Sequence, residues 1–392
     1  MSESPFRIAV VGTIYFANSH CDVIATRWLE PREDDTAWGW PKPRSSIVSM
    51  SLEQIGDNDV GCEIFARNGV EIYDSVAGAL GCGSDGLNVD GILLIGEHGD
   101  YPDNELGQKL YPRKELFDRI VRVFRESGRS VPVFCDKHLS WSTDLAREMQ
   151  QTADEMGFML FSSSSIPLCR RVPPVDLAGR DRVEEAVTLF YGPDECYGYH
   201  SFEFAQAIVE RRAGGETGVE AITVHRGDDV WREVDAERIS PELTDAALAA
   251  IVRASPGCVK EGDVRENSKG DGEVSAFCIE HRDGMRMTHI NLSGHLSTWS
   301  LAMRIAGRDA PVVTVPVVDD ATHFHAHFGT MSRIVEDAMI DNRPPFAPGR
   351  SLMTAGLTDF MMRARAQPGT RLATPALEFS YDPFGYEHTF AM

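Results

Sequence analysis

Three ionisable side chains stand together at the end of one predicted strand and could carry acid–base chemistry. Asp136, Lys137 and His138 follow directly on the apolar run 131–135. A lysine at the rim of a cleft can act as an acid or a base when burial shifts its pKa. We therefore predict a catalytic role for these residues. The alternative is an Asp–Lys pair that caps the next helix.

A second polar loop, residues 96–102, follows the apolar run 89–95. It holds Glu97, His98 and Asp100 between two glycines and a proline. Parallel α/β sheets bind their ligands at the carboxyl ends of the strands. We therefore predict that Glu97 and His98 contribute to cofactor binding, with a simple turn as the alternative.

The turn after the first predicted strand, residues 6–12, can be compared with a dinucleotide-binding fingerprint. In the GxGxxG motif, glycines allow a tight turn and a close approach of the backbone to the pyrophosphate. Here Gly12, Ile14 and Ala17 occupy the glycine positions, so only the first glycine is present. The topology still allows a cofactor, which would contact Gly12, Thr13 and Ile14.

Glu53 follows the second predicted strand, residues 47–52, at a place where an acid can hold a ribose diol. We predict it as a further cofactor contact, and a solvated surface glutamate is the alternative. The segment 30–44 before that strand is rich in proline and charge. This composition predicts a loop of unusual length.

The elements that position these residues alternate between strand and helix. Apolar runs predict strands at 6–12, 47–52, 89–95, 131–135 and 158–161, and helices are predicted at 18–29, 59–68, 113–127 and 143–156. This alternation predicts a Rossmann-type doubly wound parallel sheet in an α/β protein. We assign residues 1–170 to this nucleotide-binding-like domain.

The second half of the chain has a different pattern. Strands are predicted at 183–191, 219–226, 274–281 and 285–292, and helices at 328–340 and 352–366. Apolar and polar residues alternate more in these strands, and short turns join the strands. Both features predict an open, mostly antiparallel sheet in an α+β domain. We assign residues 171–392 to this substrate and oligomerisation domain, whose C-terminal segment can pack back on the first domain.

Composition excludes several classes of function. The chain of 392 residues has 38 Lys and Arg against 60 Asp and Glu, a formal charge of −22. Binding to nucleic acid or to anionic membranes needs clustered positive charge, so we expect neither partner. No apolar run is long enough for a membrane-spanning helix. Eight cysteines without a CxxC pair predict free thiols in a reducing cytoplasm.

Three segments resemble one known family. The run 136–138 stands where that family has Glu-Lys-Pro, and residues 196–200, followed by Glu203, stand where it has Asp-x-x-x-His and often an acid. Residues 374–377 match a C-terminal segment with Thr-Pro. Over nearly the whole chain, the sequence resembles the glucose–fructose oxidoreductase and inositol dehydrogenase (Gfo/Idh/MocA) family. Cys196 replaces the family's Asp, which weakens that part of the match.

The resemblance implies an N-terminal Rossmann domain, a C-terminal α+β domain and NAD or NADP as cofactor. Such enzymes oxidise or reduce sugars, cyclitols and related polyols, and some members use the cofactor in net hydrolysis or elimination. By the same resemblance, Lys137 lies near the reacting hydroxyl and His200 acts as acid or base, with Glu203 in support. A small-molecule substrate and a homodimer or homotetramer are also implied.

Two other functions stay open. The same cleft without a nicotinamide could run lyase, isomerase or hydrolase chemistry, with a divalent metal as an option. The groups for this chemistry would be His20, Asp22, Glu97, His98, Asp100, Lys137 and His200, or the alternate histidines of a strand, His323, His325 and His327. A ligand-binding sensor or scaffold without turnover is the third hypothesis. His295 and Trp299 could line a sugar pocket.

Overall fold

The computed structural model describes residues 5–31, 42–269, 274–318 and 325–384. Most of the predicted long loop, and His323, lie outside these residues. None of the described helices is long and apolar enough to cross a lipid bilayer. All eight cysteines lie in the described ranges and are free thiols.

Six parallel strands form the first sheet, in the order β3-β2-β1-β4-β5-β6. Their bounds are β1 (Phe6–Gly12), β2 (Ser45–Leu52), β3 (Glu71–Tyr73), β4 (Gly91–Ile95), β5 (Val133–Asp136) and β6 (Leu160–Ser163). The middle strands are apolar and fully buried, as expected for a parallel sheet with helices on both faces. The predicted doubly wound sheet is confirmed.

Helices connect these strands. They are α1 (His20–Leu29), α2 (Gly61–Arg67), α3 (Val76–Gly81), α4 (Arg113–Ser127) and α5 (Thr143–Met156). Serine caps set the starts of three of them, because Ser19 Oγ accepts from the N–H of Asp22, Ser75 Oγ from that of Gly78 and Ser142 Oγ from that of Leu145. Gly157 ends α5 in the left-handed conformation, with φ 69°.

The chain then forms the strands of a second sheet. Their bounds are β7 (Arg171–Val172), β8 (Val183–Phe190), β9 (Val219–Arg226), β10 (Ser275–His281), β11 (Arg286–Asn291), β12 (Ser300–Ile305) and β13 (Val312–Pro316). The helices among them are α6 (Asp194–Val209), α7 (Asp228–Asp235), α8 (Pro241–Ala254) and α9 (Val264–Asn267). The last elements are α10 (Ala326–Asp341), α11 (Pro348–Arg365) and β14 (Leu372–Ala373).

The chain divides into two compact units. The first contains the described residues of Met1–Asn104, Lys109–Ser165 and Asp319–Ser351. The second contains those of Glu105–Gln108, Ile166–Val318 and Leu352–Met392. The parallel sheet and α10 therefore belong to the first unit, and the second sheet belongs to the second unit.

The second sheet has the order β14-β9-β10-β11-β8-β12-β13-β7 and is antiparallel except between β8 and β11. It is open, since β14 and β7 are its edges. Successive residues face two apolar cores, so that Met303 packs with α6 and α11 whereas Ala302 packs with α7 and α8. Helices thus pack on both faces of this sheet.

Candidate active site

The crevice outside the carboxyl ends of β1, β4 and β5 brings together several of the predicted residues. The direction in which strands are added reverses at β1, which lies between β2 and β4, and such switch points are where α/β sheets bind ligands. Thr13 is tied to the loop after β4, because its Oγ1 donates to the carbonyl of Glu97 at 2.7 Å. We call this place the switch-point crevice, formed by Thr13, His20, Glu97, His98, Asp136 and Lys137.

Glu97 binds two buried cations in this crevice. Lys137 Nζ lies 2.9 Å from Glu97 Oε1, and the guanidinium of Arg113, at the start of α4, donates to the other carboxylate oxygen. These three side chains are at most 5% exposed. Burial alone would raise the pKa of Glu97, but the charges of Lys137 and Arg113 hold it well below its usual value. Glu97 is thus an anion that fixes Lys137 at the edge of β5.

His20 and Asp136 form a second pair. His20 begins α1 and Asp136 ends β5, and His20 Nδ1 lies 2.6 Å from Asp136 Oδ2. The aspartate side chain is 1% exposed and the histidine side chain 14%. An ionised carboxylate only accepts hydrogen bonds, so the ring proton in this pair is on Nδ1. The helix that follows, α5, takes its cap from Ser142.

Aromatic rings pack around His20. The rings of His98 and Phe328 each lie 5.3 Å from the ring of His20, and Phe16 lies 5.3 Å from His98. Burial lowers the pKa of His98 to about 4, and the charge of His20 acts in the same direction. His98 is therefore neutral at physiological pH. His98 and Lys137 both have left-handed backbone, with φ 67° and 65°, a strained conformation that is typical of functional sites.

The turn between β1 and α1 shows how well the chain fits the phosphates of a dinucleotide. A Cβ on Gly12 would lie 2.7 Å from Cys21 Sγ, so strand and helix leave no room for a side chain here, which is a role that glycine has in dinucleotide-binding turns. The amino end of α1 can attract an anion. Asp22 Oδ2, however, already accepts the N–H of Asn18 at 2.8 Å, and Ser19 Oγ accepts that of Asp22. The turn therefore fits phosphates with fewer available amides than a glycine-rich turn.

The end of β2 fits the ribose of a dinucleotide. Glu53 follows this strand directly, and its N–H donates to the carbonyl of Gly12 at 3.0 Å. Its carboxylate pairs with Arg119 of α4 at 2.6 Å, with the two side chains 27% and 46% exposed. An acid at this position can accept from a ribose diol, and a neighbouring arginine can accommodate a 2′-phosphate. The residues present thus fit a dinucleotide, with Asp22 as the group that opposes its phosphates.

His200 and Glu203 lie on α6 in the second unit. His200 is 8% exposed, and its ring lies 5.8 Å from that of Tyr197 and 5.9 Å from that of Trp299. Glu203 is fully buried and accepts a hydrogen bond from Thr354 Oγ1 at 2.7 Å. The helix thus holds both residues firmly in an aromatic and polar environment.

The option of a metal site from alternate histidines on one strand fails for the two histidines that the structure describes. His325 precedes α10 and His327 lies in its first turn, with ring centroids 5.8 Å apart. Buried apolar residues recur at helical spacing from Phe328 to Met339, and this period outweighs the alternation of the histidines. Among the described residues, no three His, Cys, Asp or Glu side chains come together as a possible metal site.

Three other residues that were predicted to line a site are buried or half-buried. His138 is 4% exposed, and burial keeps its pKa well below the usual value, so it stays neutral. His295 is also buried, and its Nδ1 lies 3.0 Å from Asn267 Nδ2. Ile14, at the second glycine position of the fingerprint, is half-buried.

Sequence reasoning missed Arg113 and the pairing of His20 with Asp136. Arg113 is the first residue of a helix with many charged residues, so its type carries no signal. A signal for His20 does exist, because it begins the helix that follows β1. The amino end of that helix and the carboxyl end of β5 share one edge of a doubly wound sheet.

Comparisons with known proteins identify the fold. No family model matches the chain, and no curated protein matches it by sequence. Solved structures do match. GenD2 from gentamicin A biosynthesis, in complex with NAD, has a TM-score of 0.57 and 15% identity over 95% of this chain and 97% of that chain.

Two further structures match over similar lengths. Myo-inositol 2-dehydrogenase from Lactobacillus plantarum has a TM-score of 0.55 and 11% identity, over 95% of this chain and 100% of that chain. An oxidoreductase from Agrobacterium radiobacter, in complex with NAD+, L-tartaric acid and magnesium, has a TM-score of 0.58 and 12% identity, over 95% and 99%. At such low identities the likeness shows the fold, a Rossmann-like domain followed by a mostly antiparallel sheet.

Proposed function

We propose that the chain is an NAD(P)-dependent oxidoreductase of the Gfo/Idh/MocA type, which acts on a sugar, a cyclitol or a related polyol. The observation that carries this proposal is the switch-point crevice. It holds an ion-paired lysine and a carboxylate-bound histidine next to a turn that fits a dinucleotide. The NAD complexes of two structures with the same fold support the choice of cofactor.

The cofactor would be held by the residues around the first turn. Glu53 would accept hydrogen bonds from the ribose hydroxyls, and this favours NAD+ over NADP+. The phosphates would lie near the amino end of α1, beside Gly12, Thr13 and Ile14. Glu97 and His98, which sequence analysis assigned to cofactor binding, line the same crevice. A bound NAD+ supplies the acceptor for the hydride.

Lys137 stabilises charge on the substrate in this proposal. Glu97 keeps the lysine protonated and in place, so its ammonium group can stabilise the negative charge that develops on the reacting oxygen. Arg113 holds the other oxygen of Glu97 and prevents the carboxylate from turning away. His200 and Glu203, for which the family resemblance implies acid–base roles, keep that assignment as a proposal.

A turnover assay tests the proposal. Purified protein is mixed with NAD+ or NADP+ and with myo-inositol, scyllo-inositol, glucose or L-tartrate, and reduced nicotinamide is measured. We expect turnover of at least one polyol, and we expect Lys137→Met to lose turnover while it still binds the cofactor. Lys114→Met is the matched control, because Lys114 pairs with Asp118 on the surface of α4. If the wild-type protein neither binds nor reduces either cofactor, the proposal is rejected.

The homodimer or homotetramer that the resemblance implies stays a prediction. Light scattering coupled to size-exclusion chromatography measures the mass in solution directly. A mass of about 43 kDa would contradict the prediction, since that is the mass of one chain.

A further inference from the structure

Several N–H groups of the turn between β1 and α1 are already bound within the protein. The N–H of Thr13 donates to the carbonyl of Ile95 at 3.1 Å, and that of Asn18 donates to the carboxylate of Asp22 at 2.8 Å. The N–H of Asp22 donates to Ser19 Oγ. A glycine-rich turn binds a pyrophosphate through such amides, so this turn needs another donor for the same anion.

His20, the first residue of α1, can supply that donor. Among the described residues, the N–H groups of His20 and Cys21 have no hydrogen-bond acceptor. Such N–H groups in the first turn of a helix point out of its amino end and attract anions. The ring of His20 starts from the same turn and reaches the end of β5, so an amide and an imidazole are available together.

The ring of His20 has one nitrogen fixed and the other accessible. Nδ1 donates to Asp136 Oδ2 at 2.6 Å, and the histidine side chain is 14% exposed. Nε2 makes no hydrogen bond to any described residue. In an imidazolium both ring nitrogens are donors. Asp136 therefore occupies one N–H of a protonated ring and leaves the other for an anion.

We propose that His20, positioned by Asp136, is the cation that binds the pyrophosphate of the cofactor and replaces the glycine amides that the first turn lacks. This inference rests on the proposed function, and the acid–base step on the substrate stays with His200. The protonated ring donates its Nε2–H to a phosphate oxygen and adds a positive charge to the amino end of α1. A neutral ring with its proton on Nδ1 has only a lone pair on Nε2, which repels a phosphate oxygen. Cofactor binding therefore takes up one proton wherever the ring of the free protein is neutral.

The buried charges of the crevice suit an anion at this place. Glu97, after β4, is paired with Lys137 and Arg113, so these three side chains together carry one positive charge. A protonated His20 and Asp136 are neutral as a pair. The five side chains therefore have one positive charge in excess, which attracts a pyrophosphate.

Three further side chains lie around His20 or on its helix. Burial lowers the pKa of His98 to about 4, so this ring is neutral and does not repel the imidazolium. Phe328 of α10 packs edge-on against the ring of His20 and restricts its movement. Asp22, two residues further along α1, is a carboxylate that opposes the phosphates, and the charge of His20 offsets it.

Calorimetry of the wild-type protein tests the inference through proton uptake and needs no substrate. NAD+ is titrated at several pH values between about 6 and about 9, in buffers that differ in their ionisation enthalpy, and the difference in heat gives the number of protons taken up. We expect an uptake of up to one proton per site and a Kd that rises as the pH increases. Binding of NAD+ without proton uptake at any pH in this range overturns the proposal.

Variants give a second readout, with NAD+ and with ADP-ribose, which has the same pyrophosphate but no nicotinamide. In His20→Gln at about pH 6 we expect the Kd of both ligands to be about 10- to 100-fold higher than in the wild type, and the proton uptake to disappear. The difference in Kd should narrow as the pH rises, because the wild type then loses the charge of His20. His225→Gln is the matched control, since His225 lies half-buried on β9, and it should keep both the Kd and the proton uptake.

The outcomes separate this inference from the proposed function. An unchanged Kd in His20→Gln, or a difference in Kd that is equal at all pH values, overturns the role of His20 as a cation and leaves the proposed function in place. Absence of binding of both NAD+ and NADP+ by the wild type rejects the proposed function and this inference together.

Discussion

The two ion pairs on Glu97 predict an order of stabilities among simple variants. Removal of one partner from a buried ion pair costs about 3–5 kcal/mol. Lys137→Met breaks one pair but leaves Glu97 with Arg113, so we expect a loss of about 3 kcal/mol. Glu97→Gln breaks both pairs and leaves two buried cations around an uncharged amide, so we expect about 5 kcal/mol or more. The side chains of Lys137 and Arg113 are both less than 5% exposed, so water can do little to stabilise a cation that has lost its partner.

Urea unfolding at neutral pH measures this order. The double variant of Glu97→Gln and Lys137→Met should lose less stability than the sum of the two single variants, because the second change removes one of the two uncompensated cations. An equal loss in the two single variants, or strict additivity, would refute the reasoning.

The pH dependence of the same variants checks the charge state of Glu97. Its pKa is lower in the folded protein than in the unfolded chain, since Lys137 and Arg113 outweigh the effect of burial. The stability that the ionised group contributes is therefore present above the unfolded-state pKa of about 4.3 and is lost as the pH falls through the lower folded-state pKa. The difference between wild type and Glu97→Gln should thus shrink as the pH falls below about 4.

Three further predictions concern the crevice and the cofactor. Glu53→Gln should shift preference from NAD+ towards NADP+, because it removes a ribose acceptor and releases Arg119 for a 2′-phosphate. Calorimetric titration with both cofactors measures the ratio of the two Kd values, and an unchanged ratio would count against Glu53 as a ribose contact. Asp22→Asn should tighten NAD+ binding by about 0.3–2 kcal/mol, since the side-chain amide can still accept from the N–H of Asn18 while a negative charge is removed from the amino end of α1. Weaker binding of NAD+ by the variant would show that the phosphates lie elsewhere. His98 has a folded-state pKa of about 4, so the unfolded chain takes up a proton at this histidine first, and the wild type should lose stability as the pH falls from about 6.5 to about 4. His98→Gln should lack this loss of stability in acid unfolding curves. Identical curves for wild type and variant would contradict a neutral His98 in the folded protein.

The sequence predicts the parallel half of the fold well because its signals are local. The bounds of α4 and α5 were predicted as the structure has them, since amphipathic spacing and the cap at Ser142 mark them. In contrast, α6 was not predicted, because residues 198–209 are all buried and no helical period separates an inner from an outer face. With three residues, β3 is too short to give a pattern.

The sequence predicts where the candidate site lies, but not which of its side chains pair with each other. Polar residues after apolar strands placed Asp136, Lys137 and Glu97 at one edge of the sheet. Which base meets which carboxylate depends on loop conformation, and the left-handed backbone of Lys137 has no signal in its residue type. The pairing of His20 with Asp136 spans 116 positions of the chain, so local spacing could not reveal it.

Cofactor binding is the most direct test of the proposed function. NAD+ and NADP+ are each titrated into the purified wild-type protein in a calorimeter, and Glu53→Gln is titrated in parallel. We predict one site per chain that binds NAD+ with a Kd of about 1 mM or tighter, in the range of enzyme affinities for their substrates, and more weakly in the variant. Absence of heat with both cofactors, or equal binding by wild type and variant, would contradict the account of the first turn as a dinucleotide site.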